Sequence, residues 1–245
     1  MPYVSNRNHQ IHYTVEGAGP LLILQHGLFC NAGDWKQAGY VESLADSFTV
    51  ACVDSLGHGE SDKPTSGESY HQSQRAGDIV AVIDTLGHDT AHVLGYSMGG
   101  WIAVGMAKYY PERLASLSIA GWDCANGVDT LARSLNIDSV SFEFLSEMAM
   151  FLAPELLAWV TPEIEPALEA CFEALDDLEG AEDAVCDLDV PVLLWNGIED
   201  AYHEPMRIFA EANNLKFLST PGDHLGALVD EDHSKVREIR MFLQG

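Results

Sequence analysis

Residues 91–110, AHVLGYSMGGWIAVGMAKYY, set the tightest limit on the fold. A short apolar run passes through a single serine, with glycines two positions to either side, into a helix-period stretch that Pro111 stops. A strand that turns this sharply into a helix needs residues without side chains where the two backbones meet, and Gly95 and Gly99 occupy those positions. Such a turn thrusts Ser97 out of the sheet, with its hydroxyl near the positive end of the following helix. Gly100 and Gly105 keep one face of that helix small, which suits tight packing on a sheet.

The same alternation runs through much of the chain. Candidate strands are 10–15, 21–25, 48–53, 91–95, 115–120, 190–195 and 216–218, and candidate helices are 70–86, 98–110, 205–212 and 234–243. Short apolar runs between amphipathic helices predict an α/β fold with a mostly parallel central sheet flanked by helices on both faces. At 245 residues and 47% apolar, the chain has enough material for one globular core.

One segment interrupts the alternation. Residues 123–189 carry 17 acidic side chains against a single basic one, Arg133, well over half of the formal charge of -26. Phe142, Leu145, Met148, Leu152, Leu156 and Trp159 recur there at helical spacing, so the segment reads as amphipathic helices. It is expected to be a helical cap inserted into a core made of 1–122 and 190–245; the plainer alternative is that its helices extend the core packing.

The charge bounds the partners. An acidic chain of pI about 4.4 repels phosphate backbones and anionic headgroups, so neither nucleic acid nor an acidic membrane is an expected partner. The longest apolar stretch, 148–160, is broken by Pro154 and Glu155 and falls short of the ~20 residues that a spanning helix needs. Residues 1–12 lack a basic start followed by an apolar run, and the five cysteines form no CxxC pair, so a reduced, cytoplasmic protein is expected. A monomer or a homodimer fits equally. Five lysines beside 38 acids fit either adaptation to salt or an ordinary acidic surface.

A serine hydroxyl becomes a useful nucleophile only when an imidazole takes its proton and a carboxylate holds that imidazole. Both are available beyond later strands: 190–195 runs into NGIED, which ends at Asp200, and 216–218 runs into TPGDH, which ends at His224. Loops at the carboxyl edge of a parallel sheet converge, so Ser97, Asp200 and His224 can meet. An oxyanion needs two donors. The backbone N–H of Met98, at the helix start, and that of Leu28, after His26 and Gly27 at the end of 21–25, are the candidates.

These pieces resemble the α/β-hydrolase superfamily: His26-Gly27, DSLGHGESD at 54–62, the GYSMGG turn at 95–100, GIED at 197–200 and GDH at 222–224, in the order Ser, Asp, His. The resemblance covers nearly the whole chain. It implies a two-part layout with the acidic insert over the site, and no cofactor. A serine nucleophile separates the chain from related dehalogenases and epoxide hydrolases that use aspartate, and a single His-Gly step resembles the branch that prefers esters of less hindered alcohols.

Several residues compete for roles. Asp123 follows the strand 115–120 and is the alternative acid to Asp200; His203, close to Asp200, is a rival base. His26 and His58 are expected to bond locally, and Cys30, two residues past Leu28, to pack, the alternative being that it lines the pocket and makes it thiol-sensitive. His88 and His92 do not form a metal pair, because a strand begins between them, and no metal-ligand spacing occurs elsewhere. With so few cations in the insert, an uncharged short- or medium-chain carboxylic ester is the expected small-molecule substrate. Meta-cleavage C–C hydrolysis, lactone hydrolysis and ligand binding without turnover stand as alternatives.

Overall fold

A computed structural model describes residues 2–229 and 234–245; Met1 and residues 230–233, which fall within the expected core segments, lie outside the described residues. The strands are β1 (Tyr3–Asn6), β2 (His9–Gly17), β3 (Leu21–Gln25), β4 (Thr49–Val53), β5 (Ala91–Tyr96), β6 (Leu114–Ala120), β7 (Val192–Gly197) and β8 (Lys216–Thr220). They form one sheet in the order β1-β2-β4-β3-β5-β6-β7-β8. The β1–β2 and β2–β4 pairings are antiparallel and the others parallel.

Burial follows position in the sheet. β3 is LLILQ and buried at every residue, because helices cover both of its faces, whereas in β8 at the edge only Thr220 is buried. The expected strands fall where the sheet has them, to within two residues. β1 went unread: it is a half-polar edge strand, joined to β2 by Arg7 and Asn8 at φ 51 and 66, a left-handed pair that the usual Asn-Gly signal does not announce here.

The helices are α1 (Ala32–Gln37), α2 (Tyr40–Leu44), α3 (Gln72–Thr85), α4 (Met98–Tyr109), α5 (Val128–Leu135), α6 (Phe142–Leu152), α7 (Glu165–Glu173), α8 (Ala181–Cys186), α9 (His203–Ala212) and α10 (Ser234–Gln244). On one face of the sheet α1, α2 and α10 bury Trp35, Leu44 and Ile239; on the other α3, α4, α8 and α9 bury Ile79, Trp101, Val185 and Met206. The expected helix at 70–86 starts later, because a 3-10 turn over Gly67–Tyr70 precedes α3. α1 is too short for periodicity to reveal, but Asn31 and Asp34 cap it reciprocally.

Between β6 and β7 the chain forms α5 to α8. The segment is rooted in the core at one end: Ala170 and Cys171 of α7 and Ala181 and Val185 of α8 join the large cluster with α4. At the other end Phe142 and Leu168 gather on Phe29, with Leu156, Leu157 and Trp159 around them. α6 finishes with Met150, Phe151 and Leu152 exposed, Phe151 at 86%. Among the described residues no helix is long and apolar enough to cross a membrane.

Candidate active site

Ser97 stands between β5 and α4 at φ 57 and ψ -120, a conformation that costs a non-glycine residue energy and that its surroundings enforce. A Cβ at Gly95 would collide with the Gly99 carbonyl oxygen, and one at Gly99 with the Gln25 carbonyl oxygen, so the turn closes only with both glycines. The Ser97 N–H donates to the Ala120 carbonyl (2.8 Å), which ties the turn to β6.

Three loops at the carboxyl edge then meet. His224 Nε2 lies 3.0 Å from Ser97 Oγ, and His224 Nδ1 lies 2.9 Å from Asp200 Oδ2. Asp200 is buried, and its other oxygen accepts the Tyr202 N–H (3.1 Å). A carboxylate can only accept, so Nδ1 carries the proton and Nε2 is left to accept from the serine hydroxyl. Burial opposes the charged form of His224, but the Asp200 and Asp223 carboxylates outweigh it, and the pKa is raised above the ordinary 6.5.

The loop after β3 lies beside the serine. A Cβ at Gly27 would sit 3.1 Å from Ser97 Cβ and 3.6 Å from its Oγ. Leu28 is the next residue along this loop. Met98 begins α4, where the first-turn N–H groups have no carbonyl one turn back.

The sequence matches the family model of the alpha/beta hydrolase fold over residues 20–148, just over half of the chain. The chain belongs to this family. The 2-(acetamidomethylene)succinate hydrolase of Mesorhizobium japonicum is 32% identical over 141 residues, 56% of this chain and 49% of that protein. The chain spans about half the length of the curated relatives it matches. The enol-lactonase from Burkholderia xenovorans LB400 has the same fold over 100% of both chains, with a TM-score of 0.77 and 22% identity. A thermophilic esterase from Thermogutta terrifontis is alike over 99% of this chain and 97% of its own, with a TM-score of 0.76 and 22% identity.

Within this α/β-hydrolase the competing residues are engaged elsewhere. Asp123 accepts the N–H groups of Ala125 (2.9 Å) and Asn126 (3.3 Å), the Asn126 side-chain amide (3.1 Å) and the Thr130 hydroxyl (2.5 Å), which uses its carboxylate to fold the start of the 123–189 segment. His203 shares a hydrogen bond with Ser219 (2.9 Å), and His92 one with Ser116 (2.8 Å). His26 accepts the Ser55 N–H at Nε2 (3.0 Å) and donates from Nδ1 to the Gly27 carbonyl (2.8 Å). Burial lowers its pKa, and lowers that of His58 further. Cys30 is buried, which pushes its thiol up to about 12.

Three supports went unread in the sequence. The Tyr96 hydroxyl donates to the His224 carbonyl (2.6 Å), and Asn196 Oδ1 accepts the Gly121 N–H (2.5 Å), so the residues flanking the strand ends hold the loops in place. Trp159 donates from Nε1 to the Phe29 carbonyl (2.8 Å), joining the acidic segment to the loop that carries Leu28. Only its helical spacing marked Trp159 in advance. A cavity of about 620 Å³ opens above Phe29, lined by Phe142, Met150, Phe151, Leu157 and Val160; Ser97 and His224 do not line it.

Proposed function

We propose that the protein is a serine hydrolase that cleaves uncharged carboxylic esters of short to medium chain through an acyl-enzyme. The observation that carries this reading is the continuous hydrogen-bonded chain from Asp200 through His224 to Ser97. In the proposed reaction Ser97 Oγ attacks the ester carbonyl as His224 Nε2 takes the hydroxyl proton. The carbonyl oxygen becomes an anion held by the N–H groups of Leu28 and Met98, while Asp200 keeps the imidazolium oriented. Collapse breaks the bond to the alcohol, which leaves with the proton from His224. Water, deprotonated by the same imidazole, then attacks the acyl group and releases the acid and Ser97.

Residues 123–189 are proposed as the cap, anchored by α7 and α8 and covering the site with α6 and the stretch to Trp159. The apolar wall around Phe29 favours an alkyl or aryl group as the non-reacting end of the substrate. Arg133, the only cation of the segment, is exposed and stands against 17 acidic side chains in 123–189, so the segment's net charge disfavours a substrate carboxylate. That argues against the dicarboxylate that the M. japonicum relative is named for. The test is a panel of p-nitrophenyl acetate and butyrate, lactones, dicarboxylate esters and dienoates on purified protein. Multiple turnovers with an initial burst on the neutral esters are expected, with a loss of ~10³-fold or more in kcat for Ser97→Ala. Saturable binding without turnover, or rates that peak on dicarboxylates or dienoates, would overturn the reading.

A further inference from the structure

Arg75, on α3, is 2% exposed, and a guanidinium keeps its charge throughout the working pH range. A buried cation normally has a carboxylate partner, because an unpaired charge in the interior is costly. Here Nη1 donates to Cys171 Sγ (2.8 Å), Nη2 points at Met98 Sδ (3.7 Å), and the guanidinium carbon stands 5.5 Å from the centre of the Tyr70 ring. Among the described residues no carboxylate forms an ion pair with it. Asp78, one helical turn along α3, gives its oxygens to Arg7 and Asn6. Asp78 still feels the charge of Arg75 through space, but neutral sulfur atoms and a ring face in direct contact do not cancel it, so the field of Arg75 extends into the protein around it.

Through its sulfur the guanidinium contact reaches Met98, whose N–H is one of the two proposed oxyanion donors. His26, which immediately precedes Gly27 and Leu28, feels the same charge: burial lowers its pKa, and Arg75 adds to that effect against the pull of Asp54. His58 is lowered by burial, by His26 and by Arg75. The guanidinium thus touches the side chain of Met98 and its charge is felt at His26, at the start of the loop that carries Leu28.

We infer that Arg75 is a positioning residue of the hydrolysis: its unpaired charge, set behind Met98, stabilises the oxyanion of the tetrahedral intermediate through the protein rather than by touching the substrate. The inference rests on the reading of Ser97 given under Proposed function. A unit charge on the order of 10 Å away, at an effective dielectric constant near 20, changes a rate by roughly tenfold.

Two ligands separate this role from packing: p-nitrophenyl butyrate for turnover, and butylboronic acid, whose adduct with a serine oxygen is a tetrahedral anion. Wild-type protein that neither turns over the ester nor binds the boronic acid in a Ser97-dependent way refutes the reading of the site itself. Given both activities, Arg75→Met is expected to melt no lower than wild type, to lose roughly tenfold in kcat with KM within about twofold, and to lose the same factor in boronate affinity. Cys171→Ala, which cuts the same contact but keeps the charge, is expected to hold kcat. The inference is overturned by a folded Arg75→Met or Arg75→Gln protein with wild-type kcat, by an equal loss of kcat in Cys171→Ala, or by a chain that folds only with a cation at position 75.

Discussion

The carboxyl edge of the sheet and the helix α6 with its connector to Trp159 are built on opposite principles. At the edge, each chemical group is fixed by buried neighbours: Asp200 by the Tyr202 N–H, His224 through its carbonyl by Tyr96, and Ser97 by β6 and two obligatory glycines. In α6 only Phe142 is buried, and the helix ends in three exposed apolar side chains. The contrast teaches a division of labour. Backbone strain is tolerable where the packing is dense enough to hold it, and the thinly packed side is free to adapt.

The sharpest way to break that comparison is to exchange the two acids of the site region. Asp200→Asn is expected to lower kcat by roughly 10³–10⁴-fold with little change in melting temperature, because the amide no longer holds the tautomer that frees Nε2. Asp123→Asn should do the reverse, keeping kcat and losing about 1–3 kcal/mol of stability as buried hydrogen bonds weaken. Kinetics and chemical denaturation of both variants decide it; full turnover in Asp200→Asn with loss in Asp123→Asn would move the acid to the other loop.

Acid pH comes next. His224 must be neutral to accept the serine proton, and its pKa is raised by the Asp200 and Asp223 carboxylates against burial, so kcat/KM should fall as pH drops, with a midpoint above 6.5. Stability follows a different sign at the buried imidazoles. His26 and His58 have lowered pKa values in the fold, so the unfolded chain binds more protons, and stability present above 6.5 should be lost as pH falls below it. An activity limb below 6.5 would contradict the first statement, and a melting temperature flat from pH 7 to 5 the second.

The smallest effect belongs to α6. Phe151→Ser is expected to leave melting temperature and the rate on p-nitrophenyl acetate nearly unchanged, and to raise KM for longer acyl esters several-fold, as 86% exposure leaves it no packing role. A KM that stays constant across chain length would place the acyl group away from the cavity above Phe29.

Much of this was legible beforehand, and the reason differs by element. The strand-serine-helix turn could be read because its glycines are dictated by backbone contact, and Asp200 and His224 because each follows a strand in a topology that brings loop ends together. Arg75 gave no signal, since a lone arginine in a helical run looks like a solvated residue until the fold buries it. The hairpin at Arg7 and Asn8 and the link from Trp159 to Phe29 escaped for a similar reason: the first lacks glycine, and the second joins residues 130 positions apart.

That last link has a consequence for how the protein can diverge. Phe29 holds a left-handed backbone at φ 66, unusual for an aromatic residue, and its carbonyl is the acceptor for Trp159. A descendant that reshuffled its outer helices to admit a new molecule would have to supply another donor at that spot, or the kinked loop beneath, which also carries Gly27 against Ser97, would be free to relax. On the proposed reading, the freedom to change what is recognised is thus tethered, by one indole, to the loop beside the nucleophile.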